Sequence, residues 1–134
     1  MSNVESGGRA TVLVCITCRA TDAVDPPAAD APRPGLILAE ATAAAAANAP
    51  DVSVQRVRCL GNCNRGLSAA IRCDNAWTYV FGGLEASRDG LTLIAGARLL
   101  AGAADGIMPW QGRPEPLKRG LIARIPPRNF QESP

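Results

Sequence analysis

The chain has 134 residues, 47% hydrophobic and 19% charged, a balance that fits one globular domain with a single core. A formal net charge of +2, a single lysine (Lys118) and 4% aromatic content argue against a nucleic-acid surface. There is no histidine, so every mechanism that needs an imidazole is closed, and five cysteines carry nearly all the available chemistry.

Residues 1–10 are mostly polar and read as a flexible leader without the apolar core of a signal peptide. Residues 11–14 are a short apolar run, partly β-branched, which predicts a buried strand running into Cys15. Residues 19–34 are rich in Asp, Ala and Pro and read as loop. Residues 36–48 predict a helix, with Pro34 suited to its first turn and an alanine-rich face small enough to lie close against a sheet. Val52–Val57 begins with period-2 alternation and predicts a second strand, ending at Arg58-Cys59. Residues 67–73 and 77–81 flank a turn and predict a hairpin, with Leu67, Ala69, Ile71 and Cys73 on one face. Residues 91–103 predict a second helix, with Leu91, Ile94, Ala95, Leu99 and Gly102 on its apolar side. Ser87 or Asp89 would cap it and Gly106 would follow its end.

From residue 108 the chain changes character. Six prolines and several arginines separate single apolar residues, which predicts a helical turn near 115–119 within an otherwise extended arm. An arm packed on its own domain and an arm offered to a partner both fit. The domains expected are therefore a leader (1–10), a folded unit (11–107) and a C-terminal arm (108–134).

The order β-α-β-β-β-α predicts an α/β fold: a parallel βαβ unit, then a hairpin and a closing helix on a four-stranded mixed sheet. This is the minimal thioredoxin-like arrangement. No apolar stretch reaches membrane-spanning length, and a cytoplasmic location is expected. Paired cysteines in a reducing compartment are ligands or redox catalysts more often than disulfides, and an odd total argues the same way. The pairs are Cys15-Ile-Thr-Cys18 and Cys59-Leu-Gly-Asn-Cys63. Each follows the carboxyl end of a strand, and parallel neighbours put those ends on one edge of the sheet. Four thiolates there suit a [2Fe–2S] cluster, two per iron. Gly61 relaxes the turn between its two cysteines and lets amide N–H groups approach sulfur. Arg19, Arg58 and Arg65 flank the pairs and could offset cluster charge. Zinc on the same thiols and a dithiol redox pair at Cys15 and Cys18 are the alternatives. Cys73 reads as a core position. No nucleophile–base pair or phosphate-binding glycine loop is present, so an electron carrier is expected rather than a catalyst.

At these residues the chain resembles a family of bacterial predicted metal-binding proteins of unknown function, related to the thioredoxin-like [2Fe–2S] ferredoxins. The resembling segments are Val12-Leu-Val-Cys15-Ile-Thr-Cys18, Cys59-Leu-Gly-Asn-Cys63-Asn-Arg-Gly66, Tyr79-Val-Phe-Gly-Gly83, Pro109-Trp110 and Arg113-Pro-Glu115. The resemblance implies a thioredoxin-like fold, a cysteine-ligated cluster or metal (iron, zinc or cobalt), a link to cobalamin and cobalt metabolism, and a redox partner protein. A homodimer is also implied, since thioredoxin-like ferredoxins often dimerise. Those ferredoxins share the three-residue second spacing but usually have a wider first pair. Ligand roles therefore carry over most directly to Cys59 and Cys63.

Overall fold

A computed structural model describes residues 10–17, 33–61, 66–128 and 130. The element order is β1 (Ala10–Cys15), α1 (Pro34–Ala46), β2 (Val52–Val57), β3 (Ala69–Cys73), β4 (Thr78–Phe81), α2 (Asp89–Ala101), the single turn α3 (Pro116–Arg119) and β5 (Leu121–Ile125). The first six elements follow the predicted order. Of the sequence expectations, the leader through residue 9 and the loop over 18–32 lie outside the described residues.

The sheet has five strands in the order β2-β1-β3-β4-β5, one more than the sequence predicts. β1 and β2 are parallel, and the other three pairings are antiparallel. The parallel register sets Cys15 beside Val57, so both strands end at one edge of the sheet. The extra strand is β5, drawn from the C-terminal segment and paired with β4 through a register shift at Val80/Phe81. The β5 residues are half-buried or exposed, as an edge strand permits.

α1 starts at Pro34, where the missing amide proton costs nothing, and its ring presets the helical φ. Its buried face is Gly35, Leu38, Ala39 and Thr42. The alanine run is not the sheet-facing surface: Ala43 and Ala44 are exposed. Close approach occurs instead between the helices, where a Cβ on Gly90 would stand 2.8 Å from the carbonyl carbon of Ala41. Thr42 is buried without penalty because its Oγ1 donates to the Leu38 carbonyl at 2.7 Å.

α2 buries Gly90, Leu93, Ile94, Gly96, Ala97 and Leu100. Of the predicted face only Ile94 is buried among these, and Leu91 is 73% exposed. Neither Ser87 nor Asp89 caps the helix. Arg88 holds the N-cap, and Asp89 is the first helical residue, with Oδ2 accepting the Glu85 amide at 2.7 Å. Gly102, not Gly106, ends it.

α1 and α2 pack on each other and on β1. The core between helices and sheet contains Val12, Val14, Leu38, Ile71, Tyr79, Phe81, Leu93 and Leu100. Leu117 of α3 is fully buried in the same cluster. The segment before α3 is held by Arg113, whose guanidinium donates to the carbonyls of Met108 and Pro109. It also lies over the Tyr79 and Trp110 rings, at 5.5 and 5.2 Å from their centroids. Among the described residues no helix is long and apolar enough to cross a membrane.

Candidate functional site

Cys15 is the last residue of β1, and Cys59 stands two residues beyond β2. The parallel pairing continues past the strands, because the Ile16 amide donates to the Val57 carbonyl at 2.9 Å. Two cysteines separated by an entire crossover helix therefore meet at one corner. The Cys15 thiol lies 3.5 Å from the Arg58 carbonyl, to which it donates. Arg58 immediately precedes Cys59, so the peptide leading into the second pair touches the sulfur that opens the first.

The two sulfurs have different surroundings. Cys15 is 1% exposed, and its amide donates to the Ser68 carbonyl on the neighbouring segment at 3.1 Å. Cys59 is exposed, and its Sγ accepts the Gly61 amide at 3.2 Å. That bond requires the chain to fold back within two residues. Gly61 achieves it at φ +76°, in the left-handed region that suits glycine. Amide–sulfur hydrogen bonds of this kind tune the potential of a cysteine-ligated cluster.

Thr17 ties the corner together. Its hydroxyl donates to the Arg58 carbonyl, and its own carbonyl accepts Arg33 Nη1 at 3.0 Å. Arg33 is the N-cap of α1, so the N-terminal end of that helix is held at the cysteine edge. The helix therefore directs the positive end of its dipole towards this edge. In sequence, α1 begins well down the chain from Cys15. In space the side chain of its N-cap residue reaches Thr17, two residues beyond Cys15.

Thr17, Arg33 and Ser68 were not picked out by sequence reasoning. Thr17 could have been, since it stands between the first two cysteines. Arg33 lies in a proline-rich stretch with no local signal, and Ser68 acts through its backbone carbonyl. Cys18, Cys63, Arg19 and Arg65 lie outside the described residues. Among the described residues, no three His, Cys, Asp or Glu side chains are grouped to hold a metal.

Cys73 is remote from this corner. It ends β3 and pairs in register with Ala10, the opposite end of β1 from Cys15. Leu67, Ala69 and Ile71 are buried as predicted, while Cys73 is half-buried at the rim of the core. Burial, and then the Asp74 carboxylate, push its thiol pKa above the ordinary value.

This sheet order and helix placement have counterparts among solved structures. A thioredoxin-like [2Fe–2S] ferredoxin from Aquifex aeolicus is similar at a TM-score of 0.53 and 17% identity, over 91% of this chain and 98% of that one. A second structure, the wild-type ferredoxin from the same organism at 1.5 Å resolution, is similar at 0.53 and 15% identity, over 86% and 97%. The fold is thus thioredoxin-like α/β. No curated protein matches the chain. A family model described as "protein of unknown function (DUF1636)" matches residues 12–127, and the chain belongs to that family.

Proposed function

We propose that this protein is a [2Fe–2S] electron carrier that holds its cluster on Cys15, Cys18, Cys59 and Cys63 and exchanges electrons with a redox partner protein. The observation that carries the reading is the contact of the Cys15 thiol with the Arg58 carbonyl, which sets Cys15 beside the peptide that leads into Cys59. The donor set fits the group. Two thiols stand at adjacent strand ends, and a backbone amide already points at one of them. A bound cluster supplies one-electron transfer at a potential tuned by such hydrogen bonds and by burial. The chain's own part is to position the thiols: β1 buries Cys15, the Gly61 turn presents Cys59, and Thr17 locks the two loops.

Anaerobic purification tests the reading. The expected sample is red-brown, carries about two irons per chain, and loses its visible absorption on dithionite reduction. Cys59→Ala should abolish the colour. Zinc on the same thiols is the reading that the short Cys15-x2-Cys18 spacing favours. A colourless protein with stoichiometric zinc would establish it and sink the carrier. A colourless, metal-free protein that reduces disulfides would make it a dithiol oxidoreductase.

A further inference from the structure

Among the described residues, the corner that holds Cys15 and Cys59 carries an excess of positive charge. Arg33, Arg56 and Arg58 are all exposed there. Thr17 links Arg33 to Arg58 through its carbonyl and its hydroxyl. Arg56 is in register with Val14, the residue before Cys15. Among the described residues the ion pairs are Arg88 with Glu85 and Arg98 with Asp51, and neither involves these arginines.

The acidic groups among the described residues lie elsewhere. Asp51 precedes β2 at its far end and faces Arg98. Asp74 follows the end of β3 that pairs with Ala10, and Asp105 adjoins Gly106, whose carbonyl accepts the Trp77 amide before β4. Glu85 belongs to the turn before α2 and is paired with Arg88. Glu40 is exposed midway along α1, more than a turn beyond Arg33. The α1 dipole adds further positive potential at the same corner.

We infer that this arginine corner is the docking surface for an acidic face of the redox partner. The inference rests on the electron-carrier reading and supplies the kind of partner. Guanidinium groups stay charged at any working pH and match carboxylates in paired geometry. Exposed charges of this kind speed encounter more than they lengthen residence, which suits a carrier that must let go after each exchange. Nucleic acid fits less well. Both tryptophans lie away from the corner, at Trp77 before β4 and Trp110 before α3, so it lacks a stacking platform.

The test is a calorimetric titration of the intact protein with an oxidised acidic flavodoxin, at about 20 and about 200 mM salt. Wild type should bind at low salt and weaken about tenfold at high salt. Arg56→Gln/Arg58→Gln should weaken low-salt binding by about tenfold, and Arg56→Lys/Arg58→Lys should retain it. Flavodoxin that fails to bind, or that binds wild type and the glutamine variant alike, overturns the inference. So does an oligothymidine that binds more tightly than flavodoxin. Iron content and dithionite bleaching on the same samples test the carrier separately. A colourless zinc protein with arginine-dependent binding keeps the docking surface and loses the carrier. A bleachable iron protein without such binding does the reverse.

Discussion

Cys15, Cys59 and Cys73 have three different surroundings, and these set three different reactivities. Cys15 is enclosed, its sulfur directed to the Arg58 carbonyl. Cys59 is exposed and receives an amide hydrogen bond. Cys73 is half-buried beside Asp74, and both features disfavour its thiolate. A thiol reacts with alkylating reagents through its thiolate, so a raised pKa slows it at a given pH. Mass spectrometry after brief iodoacetamide treatment of metal-free protein should find Cys73 modified more slowly than Cys59. The gap should narrow as pH rises through the Cys73 pKa. The same shift has a stability consequence. The neutral thiol is favoured in the folded state, so its contribution is fully present below the unfolded thiol pKa and is lost as pH rises from there through the folded one. Cys73→Ser should flatten that alkaline decline and leave any cluster spectrum unchanged, since Cys73 stands at the other end of the sheet.

At the level of elements, the contact between α1 and α2 depends on a glycine rather than on the alanines around it. A Cβ at position 90 would meet the Ala41 carbonyl carbon at 2.8 Å and the Thr42 amide nitrogen at 3.0 Å. These are backbone atoms and cannot rotate aside. Gly90→Ala should therefore destabilise the fold by about 1–3 kcal/mol, read from the urea midpoint. This contact also explains what the sequence did and did not disclose. β1 is an apolar run and β2 begins with apolar–polar alternation, and both were placed within a residue. The α2 face was misassigned because apolar residues surround that helix, and hydropathy does not mark Gly90 and Gly96 as close-packing positions. β5 was missed because Leu121–Ile125 is flanked by prolines and is mostly solvent-facing, so neither period nor burial marks it. The approach of Cys15 to the Cys59 loop was legible because the ends of neighbouring parallel strands lie together, whatever the packing around them. The Thr17 and Arg33 contacts depend on backbone carbonyls and on the placement of a helix end, which no residue pattern encodes.

Over the whole molecule, the C-terminal segment is part of the fold. Leu117 is fully buried against α2, and the Gly82 amide donates to the Gly120 carbonyl at 2.8 Å, which joins this segment to the end of β4. Leu117→Ala should cost about 2–5 kcal/mol, measured by equilibrium denaturation. Metal content per folded molecule should be unchanged, because Leu117 packs at Gly96 of α2 rather than on the cysteines. Residues 116–125 thus serve their own domain: Leu117 fills the core and β5 pairs with β4. The parallel junction of β1 and β2 has a consequence for biosynthesis. Cys15 leaves the ribosome long before Cys59, with the whole of α1 made in between. A nascent chain offers only half of the thiol set until β2 has emerged and docked beside β1. On the four-thiol set proposed above, metal delivery would follow translation of the second cysteine pair, and a chain stalled within α1 would hold Cys15 and Cys18 with no partner thiols to share a metal.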